Sequence, residues 1–266
     1  MDSIQMILLA AIQGFTEFLP VSSSAHLILP SALLGWDDQG LAFDVAVHLG
    51  SLMAAIIYFH NEIKKLLLSW IYSLSGGESS PESRLAWCII LSTIPAALAG
   101  LVFGDFIETH MRSIGVIAAA TIIFGLALGL SDYLGSKSQE MHKFTWKSAF
   151  FVGCAQAMAL IPGASRSGVT ITAALFLGFK RTVAVKFSFF MAIPIILLSG
   201  LYKAQQLGHQ SDISWGDLTT GFLLSFITAY ICIHFFINLV NRIGMIPFVI
   251  YRLVLGTFLV SILFSA

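Results

Sequence analysis

Charged residues are scarce in this chain. They make up only 11 % of its 266 residues, whereas hydrophobic residues make up 57 %. A soluble domain normally carries about 25 % charged residues, so the composition excludes an ordinary soluble domain and predicts an integral membrane protein. The formal net charge is zero, which leaves a nucleic-acid partner without an electrostatic basis.

Cysteine is scarce as well, and the first part of the chain has no basic residue. Cys88, Cys154 and Cys232 lie far apart in apolar stretches, which fits neither a disulfide framework nor a zinc site. We expect all three to be small buried hydrophobic residues. No Lys or Arg precedes Lys64, so the start of the chain lacks the basic region of a signal peptide and we expect it to be retained.

Long apolar runs are abundant. A helix that spans a membrane needs about 20 mostly apolar residues. Two apolar regions, 3–35 and 147–179, are broken by proline at Pro20 and at Pro162. Each half is too short to cross comfortably, so we interpret both regions as re-entrant helical hairpins. Six further segments have the length of a span: about 41–60, 84–104, 113–132, 183–203, 215–239 and 246–265.

The order of these segments predicts an internal repeat within a single membrane domain, residues 1–266. Each half, 1–132 and 147–266, begins with one hairpin and continues with three spans. Because three is odd, the second half enters from the opposite face, and such inverted repeats place a shared site near the midplane. The predicted fold is all-α, with six transmembrane helices and two re-entrant hairpins in an inverted twofold repeat.

Basic residues mark one side of this topology. Most of those outside the spans lie in 61–83, 133–182 and 240–245, whereas Arg112 and Lys203 lie on the other side. The positive-inside rule makes the first side cytoplasmic, so both termini are expected to face outward.

The first break, "EFLPVSSSAHL", begins with a carboxylate. Glu17 falls just before the proline, four residues after Gln13 and on the same helix face. A carboxylate at membrane depth is unfavourable unless it is paired, protonated or bound to a cation. Glu17 is therefore a candidate metal ligand.

Three serines and a histidine follow the proline. Ser22, Ser23 and Ser24 are candidates to cap the next helix. Ser23 and His26 are three residues apart and share a helix face, as a nucleophile and its base would. These residues predict nucleophilic chemistry at the start of the second half-helix.

The second break, "LIPGASRSGVT", carries a cation. Ser165, Arg166 and Ser167 fall at a helix start, where free N–H groups and the helix dipole favour an anion. The guanidinium adds a fork suited to phosphate oxygens. Alignment of the two prolines places Ser23 opposite Ser165, and Gln156 is expected to bond the turn.

Each motif alone also has a plainer interpretation. Clustered serines pack transmembrane helices, and an intramembrane arginine can simply bind carbonyl groups. Asp44 and His48, at i and i+4, either support the site or anchor a helix end. For Arg252 a structural pairing is favoured over catalysis. The conjunction of two matched breaks favours a site for diphosphate chemistry, with a divalent ion and an arginine on the phosphates.

At these residues the chain resembles the undecaprenyl-diphosphate phosphatase family of bacteria, of the bacitracin-resistance type. The resemblance covers essentially the whole length and rests on "EFLPVSSSAHL", "FDVAVHLGSLMA", "IPGASRSGVTI" and "YRLVLG", with a Gln/Glu-x-x-x-Glu pattern at Gln13 and Glu17. It implies a hydrolase of the bacterial inner membrane that removes the terminal phosphate from a C55 lipid diphosphate. The monophosphate carrier then returns to peptidoglycan synthesis, and bacitracin resistance follows.

The resemblance also implies roles for particular residues and a requirement for Mg or Ca. The implied metal ligands are Gln13 and Glu17, and Glu17 is the only carboxylate in that pattern. The implied catalytic residues are Ser23, His26, Glu17 and Arg166. The expected substrate-binding residues are Ser22, Ser24, Ser165, Arg166, Ser167 and Gln156.

Two questions stay open at this point. In the favoured scheme Ser23 attacks phosphorus and His26 takes its proton, whereas in the rival scheme His26 itself is phosphorylated. The alternative function is a secondary transporter or lipid flippase on the same inverted-repeat frame. The Lys-x6-Arg-Pro and Cys-x5-Arg signatures of other phosphatases are absent. The expected partners are the lipid diphosphate and membrane lipids; a homodimer is left open.

Overall fold

The chain folds almost entirely into α-helices. The computed structural model describes residues 3–36, 39–206 and 214–265. Within these ranges there is no strand, and only an isolated parallel bridge joins Gln139 to Phe179. The prediction of an all-α fold is confirmed.

The described ranges contain eleven α-helices and two short 3-10 turns. The helices are α1 (Ser3–Phe18), α2 (Ser23–Leu34), α3 (Gly40–Tyr58), α4 (His60–Leu74), α5 (Pro81–His110), α6 (Ile114–Leu134), α7 (Trp146–Ala157), α8 (Arg166–Phe176), α9 (Arg181–Gln206), α10 (Trp215–Ile243) and α11 (Ile246–Ser265). The 3-10 turns are Met141–Lys143 and Met158–Leu160.

Six of these helices, α3, α5, α6, α9, α10 and α11, are long and apolar enough to cross a membrane. They correspond one to one to the six predicted spans. The largest difference is in α5, which begins three residues before the predicted span 84–104 and ends six residues after it. It starts early because Ser80 forms a capping box with Ser83 and Pro81 occupies the first turn.

Helix α4 was not predicted, because the segment 61–83 was assigned as a loop. One side of α4, with Ile63 and Trp70, is partly covered by the protein, whereas Leu67 and Ile71 are exposed. Apolar residues at this three-and-four spacing are the ordinary signal of an amphipathic helix. The helix is shorter than a span, which is why a search for spans missed it.

Both proline-containing regions are broken into two helices at the predicted places, as α1 and α2 and as α7 and α8. Re-entry of these helices into the membrane stays a prediction. So does the inverted repeat over 1–132 and 147–266.

Packing of the two short lead helices follows one pattern. Helix α1 packs on α10 and α7 packs on α5, so each lead helix lies against the second span of the other half. A Cβ on Gly14 would lie 2.4 Å from the Ser225 carbonyl oxygen, and one on Gly153 would lie 2.5 Å from that of Ser92. Only glycine permits such close approach of backbones. The two lead helices therefore pack in the same way.

Helix α9 lies at the centre of the molecule. The buried ring of Phe189 contacts Phe18 at the end of α1, Phe59 after α3 and Phe236 on α10. The Phe189 ring therefore packs against Phe18, the last residue of α1.

The cysteines follow the expectation in two cases of three. Cys88 and Cys232 are buried, but Cys154 is exposed on α7. Cys154 shows that an apolar stretch does not by itself bury each of its residues, since a short helix covers only one face against the protein.

Segments predicted on the cytoplasmic side are joined by polar contacts. Arg181 donates to both carboxylate oxygens of Asp132 at 2.6 and 3.0 Å, and Asp132 also accepts from the Met245 N–H at 3.2 Å. Lys186 lies 3.8 Å from Glu62 on α4. The end of α6 and the starts of α4, α9 and α11 therefore meet on one side.

Candidate active site

The two breaks have the same local geometry at their second helix. Ser22 and Ser165 both have a positive φ, 76° and 70°, in a region that residues other than glycine rarely occupy. The Ser22 hydroxyl accepts from the Ala25 N–H at 3.4 Å, and the Ser165 hydroxyl accepts from the Gly168 N–H at 3.1 Å. Each serine is therefore the N-cap of the helix that follows.

This geometry corrects the alignment of the two breaks by one residue. The equivalent caps are Ser22 and Ser165, so Ser23 corresponds to Arg166 and not to Ser165. The proline alignment was wrong because the second break has one more residue between its proline and its cap. Gly163, with φ 94°, takes up the difference in the turn.

Glu17 brings the two breaks together. Its carboxylate accepts hydrogen bonds from Arg166 Nη2 at 2.9 Å, Ser23 Oγ at 2.8 Å and Gln13 Nε2 at 2.8 Å. The side chain is only 6 % exposed. Three donors, one of them a guanidinium, therefore satisfy the carboxylate at this depth.

Arg166 is held in place by more than its carboxylate partner. The guanidinium donates to the Glu17 carbonyl oxygen at 3.3 Å and to the Ser188 carbonyl oxygen at 3.4 Å, and it lies 5.9 Å from the centre of the Phe18 ring. These contacts leave part of the donor fork at the rim of the site, where the side chain is 13 % exposed.

His48 is the accessible neighbour of Glu17. Its Nε2 lies 3.8 Å from Glu17 Oε2, and its side chain is 33 % exposed. Its Nδ1 bonds the Asp44 carbonyl oxygen at 2.7 Å, while the Asp44 carboxylate accepts from Gln39 at 2.9 Å. His48 therefore belongs to the site, whereas the carboxylate of Asp44 anchors the start of α3.

His26 makes its two ring hydrogen bonds away from Ser23. Nδ1 bonds the Ser22 carbonyl oxygen at 2.7 Å, and Nε2 bonds the Tyr251 hydroxyl. The two rings are stacked, with centres 5.7 Å apart. The sequence pattern missed Tyr251 as a partner, although it lies in the "YRLVLG" motif, because 225 residues separate it from His26.

Arg252 is a structural residue, as predicted, and it ties both breaks together. Its side chain is fully buried. The guanidinium donates to the carbonyl oxygens of Pro20, Ala120, Thr121, Gly163 and Ala164. Backbone carbonyls that the breaks leave without a helical partner are thereby satisfied.

The remaining serines form bonds within the breaks. The Ser22 and Ser24 hydroxyls lie 3.2 Å apart, as do those of Ser165 and Ser167. Ser167 also donates to the Leu19 carbonyl oxygen at 2.7 Å, which joins the second break to the first. Of these four hydroxyl-bearing residues, only Ser24 is exposed.

The Gln156 side chain hydrogen-bonds α5 and not the turn of the second break, so the expected bond to that turn is wrong. Its Nε2 donates to the Ser92 carbonyl oxygen at 3.5 Å. With the corrected register it is the counterpart of Gln13, since both lie nine residues before a cap. Its role in substrate binding stays a prediction.

The oxygen atoms near Glu17 suit a hard cation that takes most of its ligands from a substrate. Gln13 Oε1 is buried and has no hydrogen-bond partner in the described part of the chain. The described part of the chain holds no cluster of three or more His, Cys, Asp or Glu that would form a complete metal site. Mg²⁺ commonly binds one or two carboxylates together with phosphate oxygens. Glu17 and Gln13 fit that pattern.

Comparison with known proteins identifies the family. A model of the family described as Bacitracin resistance protein BacA matches residues 6–258. This chain belongs to the BacA family. The matched range includes both breaks, so Glu17, Ser23 and Arg166 all lie within the BacA region.

Several named proteins are similar to this chain along nearly their whole length. A protein of Aliivibrio salmonicida named undecaprenyl-diphosphatase is 58 % identical over 254 residues, 95 % of each chain. Proteins of the same name from Saccharophagus degradans and Teredinibacter turnerae are 53 % and 54 % identical, over 100 % and 97 % of this chain and 100 % and 98 % of their own.

Proposed function

We propose that this BacA-family chain hydrolyses undecaprenyl diphosphate to undecaprenyl phosphate and phosphate. The observation that carries the proposal is the Glu17 carboxylate, which binds Ser23 and Arg166 at the starts of the two helices after the breaks. The name shared by relatives at 53–58 % identity supports it. A membrane-embedded site suits a substrate whose C55 tail stays in the bilayer.

The two helix starts bind the diphosphate in this proposal. The first N–H groups of α2 and α8 have no helical acceptor and carry the positive end of the helix dipole. Arg166 adds a charged fork between them. Substrate phosphate competes with Glu17 for Arg166, which frees the carboxylate for chemistry.

Ser23 is the proposed nucleophile and Glu17 its base. Ser23 Oγ attacks the terminal phosphorus while its proton passes to Glu17 Oε2, 2.8 Å away. The bond from phosphorus to the bridging oxygen breaks, and undecaprenyl phosphate leaves. Water then hydrolyses the phosphoserine. The arrangement favours Glu17 over His26 as proton acceptor, because both His26 nitrogens bond other groups.

Mg or Ca is the proposed cofactor. Glu17 and the unpartnered Gln13 Oε1 would hold it together with phosphate oxygens. When bound, the cation supplies charge neutralisation on the diphosphate. Arg166 and the helix starts share that task.

The proposed setting is the bacterial inner membrane, with the termini on the outer side. His48, the partly exposed neighbour of Glu17, lies in the third turn of α3, which by the charge pattern begins on the outer side. The site is therefore proposed to open outward. There the enzyme would return the lipid carrier to peptidoglycan synthesis and confer bacitracin resistance.

Phosphate release by the purified protein tests this function. In detergent, where no compartments exist, we expect release from a prenyl diphosphate that a chelator abolishes and Mg or Ca restores. Glu17→Gln should lose the response to the cation. No release with any divalent cation would overturn the hydrolase and favour the transporter alternative. A Glu17→Gln variant that responds fully would refute Glu17 both as a ligand of the cation and as the base of Ser23.

A further inference from the structure

The first turn of α2 is held differently from the first turn of α8. In α8 the Val169 N–H donates to the Ser165 carbonyl oxygen at 2.9 Å, as in a regular helix. In α2 the equivalent bond, from the His26 N–H to the Ser22 carbonyl oxygen, is stretched to 3.4 Å. The His26 ring donates to that same oxygen at 2.7 Å. A side chain thus supplements a weakened backbone bond at the catalytic break.

The partners of His26 define its tautomer. A carbonyl oxygen can only accept, so Nδ1 carries the hydrogen and, in the neutral imidazole, Nε2 carries the lone pair. The Tyr251 hydroxyl must then donate to Nε2. The rings are nearly parallel, 13° apart, so the bond and the stack hold the imidazole from α11.

The carbonyl group that the His26 ring hydrogen-bonds belongs to Ser22, the residue directly before the proposed nucleophile Ser23. The Ser22 carbonyl belongs to the peptide unit whose nitrogen is that of Ser23. Because this unit is planar, the orientation of its carbonyl also sets the Ser23 N–H and the position of the Ser23 Cα. Ser22 has a positive φ of 76°, and such a strained residue persists only when its surroundings restrain it.

We propose that Tyr251 is a positioning residue that acts through His26. It keeps the imidazole on the Ser22 carbonyl and thereby keeps Ser23 Oγ directed at Glu17. This inference rests on the proposed function, since it assigns the support of the proposed nucleophile. It gives His26 a task that needs Nδ1–H and no proton transfer.

Two substitutions of His26 separate positioning from chemistry. Asparagine can place an amide nitrogen near the position of Nδ1, and Asn238 shows that the bond forms in this chain: its Nδ2 donates to the His234 carbonyl oxygen, four residues earlier, at 2.9 Å. His26→Asn should therefore keep turnover within about tenfold of the natural protein. His26→Ala, which leaves the Ser22 carbonyl without that donor, should lose about 100-fold because the nucleophile shifts.

The role of Tyr251 is read from a double-mutant cycle. Tyr251→Phe keeps the stack and loses one hydrogen bond, so kcat should fall about fivefold to tenfold with KM little changed. In the His26→Asn background the same change should have no further effect, because the Nε2 acceptor is gone. Tyr133→Phe, at a side chain 84 % exposed on α6, is the matched control and should leave kcat unchanged.

Several results would overturn the positioning role. A His26→Asn variant as inactive as His26→Ala would assign acid–base or nucleophilic chemistry to the imidazole. A Tyr251→Phe variant with natural kcat, or one that adds fully to His26→Asn, would show that Tyr251 does not act through His26. If Tyr251→Phe loses activity only to the extent that its melting temperature falls, Tyr251 has a structural role. If the protein without any substitution releases no phosphate, the proposed function itself is refuted.

Discussion

At the scale of single residues, the Glu17 carboxylate connects parts of the chain that helix periodicity cannot relate. Sequence spacing could predict Gln13 beside Glu17, since they share a helix face, and that pair forms. It could also pair Ser23 with His26, but the structure directs Ser23 to Glu17 across the break. A turn with positive φ at Ser22 makes that contact, and no pattern of apolar residues encodes it.

The first residue-scale prediction concerns the shape of the cation at the site. Arg166→Lys keeps the charge but replaces a planar fork by a point charge, so turnover should fall about 100-fold or more. Phosphate release by the purified variant measures it. Arg181→Lys, at the ion pair with Asp132, is the control and should keep turnover. Near-normal turnover of Arg166→Lys would contradict bidentate binding of phosphate.

At the scale of elements, the fold depends on how two broken helices are satisfied. The prolines located both breaks, but the register between them was wrong by one residue, because a glycine adds to one turn without changing its general pattern. The burial of Arg252 was foreseen as structural, yet its five carbonyl partners come from three separate segments. Long-range partners of this kind follow only from the assembled helices.

Loss of the Arg252 contacts should be a stability defect. Arg252→Met leaves buried carbonyls without donors, at about 1–3 kcal/mol each for those that water cannot reach. We expect the melting temperature in detergent to fall by about 5–10 °C. Arg112→Met is the control, because Arg112 forms an exposed pair with Glu108 at 4.0 Å, and such pairs contribute little. Equal melting temperatures for the two variants would contradict the role of Arg252 as a clamp.

At the scale of the whole molecule, composition and apolar length were enough to predict six spanning helices in an all-α fold. Helix α4 was missed because a span search counts apolar length. Helix α4 has only 15 residues, with one apolar and one polar face. The contact of Asp132 with Arg181 was out of reach for the same reason as that of His26 with Tyr251. Each joins helices far apart in sequence.

The topology prediction follows from the odd number of spans in each half. Lys137→Cys and Phe264→Cys should label from opposite sides of intact cells, with position 137 on the cytoplasmic side. The exposed Cys154 is first replaced by serine so that the background is silent. Labelling of both positions from one side would contradict the inverted arrangement of the two halves.

The central claim is that Ser23, held by Glu17 beside Arg166, attacks the diphosphate. The most direct measurement is phosphate release from a prenyl diphosphate by purified Ser23→Ala, together with binding of the same lipid. The account predicts that turnover falls at least about a thousandfold while binding is retained, since Arg166 and the helix starts are intact. A Ser23→Ala variant that keeps a tenth or more of the natural turnover would contradict the account. An acid-labile phosphoryl group trapped on His26 in that variant would identify the true nucleophile.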